Sequence, residues 1–234
     1  MEEMGAGLPA WLTTLSWIFI ATAVMSAAAI VYDVYGRGHR QPHRVMEAVW
    51  LLSALYLGPL ALPIYNRFGR THSAEWRERA GVSPERSLTA TAVRSGLPGG
   101  VSSGLAHVVA VPFVVATGLT IANVDMWAMV AIITVLATAG IFAFEYLVFT
   151  SRDRRVPGLA GLRPALVVSL VTVVAFDLGM IGWMLILYYS ENMPAAGDIR
   201  FTFLMQVGLI LGTLTVYPAM RFFAARKPTL ALQR

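Results

Sequence analysis

The 234-residue sequence contains no cysteine, which excludes disulfides, thiolate metal sites and cysteine nucleophiles. It is also poor in charge. Only 13% of its residues are charged while 57% are hydrophobic, against roughly 25% charged in ordinary soluble domains. Mean hydropathy is +0.65. A soluble globule could not bury that much apolar surface. Strand alternation is missing, which excludes a β-barrel, and no internal repeat with a period of about 20 to 50 residues stands out. Nothing resembles a P-loop, a zinc metalloprotease helix, a serine elbow or a dinucleotide fingerprint. No enzyme is expected from these absences, and no cofactor.

What is present is a set of long apolar runs. Six reach bilayer length, roughly 20 residues each, over about 11–35, 45–65, 101–122, 126–149, 165–189 and 201–223. Aromatic residues stand at several ends, among them Trp11, Tyr35, Tyr65, Phe149, Tyr188 and Phe201, as interfacial anchoring predicts. The reading is an all-α polytopic membrane protein, a bundle of six transmembrane helices in one membrane domain over 1–234. The first run follows Glu2 and Glu3 and not a basic stretch, so it reads as a retained helix and not as a cleaved signal. The formal charge of +5 comes from arginines beside apolar runs. That pattern suits anionic lipid and not nucleic acid. The expected partners are the bilayer itself and other membrane subunits or a second copy.

Six crossings put both termini on one side. That side collects 14 of the 18 basic residues and leaves Arg37, Arg40, Arg44 and Arg200 on the other. The asymmetry predicts cytoplasmic termini, with the three arginines of the first loop as a blemish. The loop 66–100 is expected to hold a short helix that starts at Ser83-Pro84-Glu85 and stops at Gly96. Pro98-Gly99-Gly100 would then break the chain before the third span.

Four polar residues stand where lipid should forbid them: Asp177, His107, Glu145 and Gln206. Asp177 lies about 18 Å from either mouth of the fifth span. A carboxylate there costs at least ~2.5 kcal/mol, so it must face the bundle interior and be protonated or partnered. It reads either as a proton-carrying acid or as a hydrogen-bonded packing residue. His107 and Glu145, about 9 Å and 6 Å inside sequential spans, are expected to meet. Around the first loop Asp33, His39 and His43 form a weak metal candidate, although Pro42 argues against the helix that would align the two histidines. Met46, Met126, Met129, Met184 and Met205 fall in the outer halves of their spans, and thioether sulfur suits Cu(I). Methionine is equally a gap-filler. Gly179, Gly182, Gly208 and Gly212 predict close helix packing.

The stretches Val45-Met46-Glu47-Ala48-Val49-Trp50, Ala54-Leu55-Tyr56-Leu57-Gly58-Pro59-Leu60-Ala61-Leu62 and Phe68-Gly69-Arg70 resemble domain-of-unknown-function family 4396. So do Ala175-Phe176-Asp177-Leu178-Gly179-Met180-Ile181-Gly182-Trp183-Met184, Phe203-Leu204-Met205-Gln206-Val207-Gly208 and Tyr217-Pro218. The resemblance implies a multi-pass protein of a bacterial inner (plasma) membrane. Members typically follow a third-span histidine with Cys-Gly-x-Gly-Cys. Here His107 is kept while Val108, Val109, Val111 and Pro112 replace that stretch, and an acid eight residues before Asp177 reads Ser169. Any activity carried by those groups would be lost or changed. The reading that follows is a non-enzymatic accessory or assembly subunit of a membrane complex, with a metal connection open. The alternative is a proton-coupled carrier of a small solute or ion using Asp177.

Overall fold

The computed structural model describes residues 7–81, 87–152 and 158–226. Among these the protein is helical, with no strand beyond one isolated bridge between Ile121 and Val124. Six helical segments are long and apolar enough to cross a membrane: Trp11–Gly36, Arg44–Gly69, Leu88–Thr117, Asp125–Tyr146, Leu166–Tyr189 and Ile199–Phe223. The all-α polytopic reading holds.

Helix α1 (Trp11–Val31) ends in a π-turn, Tyr32–Gly36. The second segment is broken. Helix α2 (Arg44–Leu57) stops at Gly58, whose φ of 58° and ψ of −132° lie where only glycine is comfortable. A 3₁₀ turn, Gly58–Leu60, then leads into α3 (Ala61–Ile64) and a π-turn, Tyr65–Gly69. A short helix α4 (Ala74–Ala80) follows, capped by Ser73, whose hydroxyl accepts the N–H of Trp76.

Long helices α5 (Leu88–Thr117), α6 (Asp125–Arg152), α7 (Gly158–Tyr189) and α8 (Ile199–Arg226) form the rest. Sequential neighbours pack together, and α8 closes back against α5. Helix α1 lies on α2 and α8. Several hydroxyls inside the bundle bond carbonyls of the preceding turn: Ser16 bonds Leu12 O, Thr138 bonds Thr134 O and Thr213 bonds Leu209 O. This is the economical solution where water is absent. The outward faces are apolar, with Met25, Val108, Val135, Leu178 and Leu214 all exposed.

The expected break before the third span is not there. Ser83-Pro84-Glu85 lies outside the described residues. Helix α5 begins at Leu88, capped by Ser87, and runs unbroken through Gly96, Pro98, Gly99 and Gly100. Turn-forming residues are read against a solvated chain; here they are buried and make room for neighbours. A Cβ at Gly96 would lie 2.9 Å from Val216, and one at Gly99 3.1 Å from Thr172. At Gly100 it would strike the Tyr56 hydroxyl. The interhelical loop is therefore shorter than 66–100, and α5 starts 13 residues before the expected Val101.

Candidate functional site

Two polar arrangements stand out. The first gathers around Asp33, at the end of α1. Its Oδ2 accepts the Tyr65 hydroxyl at 3.0 Å. Its Oδ1 stands 3.2 Å from His39 Nδ1, 3.6 Å from Arg70 Nε and 3.7 Å from Arg37. Beside it, buried Glu47 accepts Arg40 Nε at 2.8 Å and the backbone N–H of Gln41 at 3.2 Å. The Gln41 amide in turn donates to Gly69 O at 3.1 Å. The fold thus brings Asp33 and His39 together, while His43 forms no hydrogen bond or ion pair with either. Two guanidinium groups converge on the Asp33 carboxylate, which suits an ion-pair network better than a cation site. No group of three or more potential metal ligands occurs among the described residues.

The second arrangement is a cavity of about 390 Å³ between α2, α5 and α8. Its wall is mostly apolar, including Leu52, Leu55, Leu105, Val108 and Met205, with Tyr56, His107, Thr202 and Gln206 as the polar exceptions. Leu55, Leu105 and Val108 are exposed, so the cavity has an apolar rim. His107 Nδ1 lies 2.7 Å from Ser103 O. A carbonyl only accepts, so Nδ1 carries the hydrogen. The other nitrogen, Nε2, is buried without a partner. Gln206 Nε2 donates to Leu55 O at 2.6 Å. That carbonyl would pair with the nitrogen at position 59 in a continuous helix, and Pro59 has no N–H. The glutamine closes the bond that the proline removed.

The remaining sequence candidates are dispersed. Asp177 is half-buried on α7 and accepts the Thr134 hydroxyl of α6 at 3.1 Å; it is not among the residues lining the cavity. His107 and Glu145 do not pair. Gly140 of α6 faces Ser102 of α5, so in this antiparallel pair Glu145 stands level with Leu97. That is ten positions, about 15 Å, from His107. The expectation failed because it counted depth from Val101 and not from Leu88.

Of the five methionines, Met126, Met129, Met184 and Met205 are buried in one core, where they act as apolar filling. Met46, beside Glu47, belongs to the Asp33 end. Gly179, Gly208 and Gly212 do pack α7 against α8, against Leu211 O, Met180 and Phe176 respectively. A Cβ at Gly182 would meet no atom within 4 Å, so its lack of a side chain is not required by that packing. The sequence reading missed Glu47, Tyr56, Tyr65 and Arg70. The available signal was Glu47 itself, a carboxylate inside the second apolar run.

Residues 89–227 match the model of a family described as Domain of unknown function (DUF4396). The resemblance noted at 175–184 and 203–218 falls within the matched region, and that at 45–70 lies before it. No curated protein and no solved structure matches the chain.

Proposed function

The chain belongs to the DUF4396 family, and from that premise we propose that it is a non-enzymatic accessory subunit of a membrane complex. What carries the reading is how the intramembrane polar groups are used. Asp177 bonds Thr134 of a neighbouring helix, Gln206 bonds the Leu55 carbonyl, and His107 bonds its own Ser103 carbonyl. The first two tie neighbouring segments together and the third lies within α5; none of the three meets another to form a nucleophile–base pair or an acid–base pair. Such a bundle is a scaffold. The apolar cavity beside Leu55 and Val108 gives it a place for an acyl chain or an apolar side chain of another subunit.

The carrier reading is second, and one observation favours it: His107 lines a cavity and keeps an unpartnered nitrogen. Against its original form, Asp177 is not on that cavity wall. Purification in mild detergent, with mass spectrometry of co-purifying proteins and elemental analysis for metal, tests the proposal. Stoichiometric membrane partners are the expected result. A lone chain that moves a solute in proteoliposomes would overturn it.

A further inference from the structure

The second apolar segment is long enough to cross a bilayer, yet its two ends stand together. Trp50 and Tyr65 would lie about 22 Å apart on a straight helix; their rings meet edge to face at 5.4 Å. Gln41, just before the segment, bonds Gly69 at its end. Tyr65 bonds Asp33 at the end of α1. Gly38 of the first loop, with φ +78°, packs against the Glu75 carboxylate of α4, where a Cβ would come within 2.6 Å of Oε2. At the opposite extreme Gly58 abuts the Phe19 ring, and Phe19 meets Phe203 near the start of α8 at 5.2 Å. Helix α2 therefore runs about 21 Å inward from Arg44 to a tip at Gly58, and α3 brings the chain back. Irregular backbone at such depth is tolerated when it is buried in protein, and Gly58 is buried, with the Leu55 carbonyl served by Gln206.

We propose that residues 44–69 enter and leave the bilayer at one face, as a re-entrant helical hairpin. The first loop, the feet of the hairpin and α4 then make one arginine-rich surface that binds anionic phospholipid headgroups of the cytoplasmic leaflet. Five helices cross, which places the amino terminus outside and the carboxyl terminus in the cytoplasm. This arrangement removes the blemish in the charge distribution. Arg37, Arg40 and Arg44 join the other cytoplasmic arginines, and of the 18 basic residues only Arg200 stays on the outer side. Arg200 is held there at 2.6 Å by Asp198. On the cytoplasmic surface Arg44 and Arg67 are exposed and have no carboxylate partner among the described residues, so they are available to a phosphate.

The absence of native cysteine makes the topology directly testable. Gly7→Cys, Ser190→Cys, Arg37→Cys and Arg79→Cys are each introduced into the full chain and exposed on intact cells to a membrane-impermeant maleimide. Gly7→Cys and Ser190→Cys should react, while Arg37→Cys and Arg79→Cys should react only after permeabilisation. Reaction at Arg37→Cys with protection at Arg79→Cys would mean that 44–69 crosses, and would overturn the hairpin. Reaction at both, with Ser190→Cys protected, would overturn the cytoplasmic assignment and with it the leaflet.

For the lipid, purified protein is equilibrated with mixed phosphatidylglycerol and phosphatidylcholine, and the bound ratio is read by mass spectrometry. Wild type should prefer phosphatidylglycerol. Arg44→Gln/Arg67→Gln should lower that preference roughly fivefold per arginine, the equivalent of about 1 kcal/mol per basic group. Arg44→Lys/Arg67→Lys should restore it, which separates lost charge from lost folding. Equal preference in the wild type and the Gln variant would overturn the headgroup site.

Discussion

The side-chain amide of Gln206 on α8 occupies the hydrogen-bonding position that Pro59 leaves empty, donating to Leu55 O at 2.6 Å. A polar residue in the last apolar segment and a proline in the second are thus two halves of one feature. In lipid an unpaired carbonyl costs more than the same group in water, so the break at Gly58 and the glutamine on α8 belong together.

Gln206→Met should keep the side-chain volume and lose this bond. Interhelical hydrogen bonds in membranes are worth about 0.6 to 2 kcal/mol, and a loss in that range is expected by reversible unfolding in mixed micelles. A variant as stable as the wild type would show that the Leu55 carbonyl has found another donor.

The glycines of α7 give a matched pair. At Gly179 a Cβ would lie 2.6 Å from Leu211 O and 2.7 Å from Thr215 Oγ1, and a backbone carbonyl cannot step aside. Gly179→Ala should destabilise by about 1 to 3 kcal/mol through overpacking. At Gly182 nothing lies within 4 Å, so Gly182→Ala should be neutral or gain up to about 1 kcal/mol from helix propensity. Thermal aggregation midpoints of the two variants in one detergent decide it. Equal effects would mean that the α7–α8 contact is looser than the structure has it.

Hydropathy made most of this fold legible, because crossing segments need only be long and apolar. It could not register the fold at Gly58: a hairpin and a crossing helix of one sequence have the same mean hydropathy. The two prolines of that segment and the misplaced arginines of the first loop were the visible traces. The glycines of α5 misled for a related reason. Pro98-Gly99-Gly100 breaks a solvated helix, but here Gly100 makes room for Tyr56 and Thr213. Of the site, Gln206 and His107 were found as polar residues in lipid, and Asp33 with His39 as neighbours. Tyr56 and Tyr65 were not found, since tyrosine in an apolar run looks like an interfacial anchor until its partner is known.

Asp198 governs a pH effect at the start of α8. Its carboxylate accepts the N–H of Arg200 at 2.8 Å, capping α8, and the Arg200 guanidinium at 2.6 Å. The bond from Arg200 holds the carboxyl below its ordinary value. A depressed folded-state value means stability that is present above the unfolded value, ~4, and is lost as pH falls through the folded one. Asp198→Asn keeps an acceptor for the cap and removes the charge. Wild type should therefore exceed Asp198→Asn in thermal stability at pH 7, and the gap should shrink as pH falls below the unfolded value and close once it has passed the folded one. The pair is partly exposed, so the gap should stay under ~1 kcal/mol. A gap that persists in acid would assign the effect to packing.

The sharpest division between scaffold and carrier falls on Asp177. Among the described residues it accepts the Thr134 hydroxyl, 3.1 Å away on the adjoining helix, and it is absent from the cavity wall. As a packing group it needs only an acceptor oxygen. Asparagine supplies one, so Asp177→Asn should fold, assemble and function as the wild type does. Asp177→Leu should cost about 0.6 to 2 kcal/mol. Thr134→Val should cost a similar amount, and the double variant should cost little more than either alone, because both changes delete the same bond. A proton carrier behaves differently at each step. It tolerates Thr134→Val, since the titrating group remains, and fails with Asp177→Asn however well the protein folds. Measuring the four variants for stability and for assembly with co-purifying subunits separates the two. A well-folded Asp177→Asn protein that loses all cellular function, beside a fully active Thr134→Val, would end the scaffold reading of this residue.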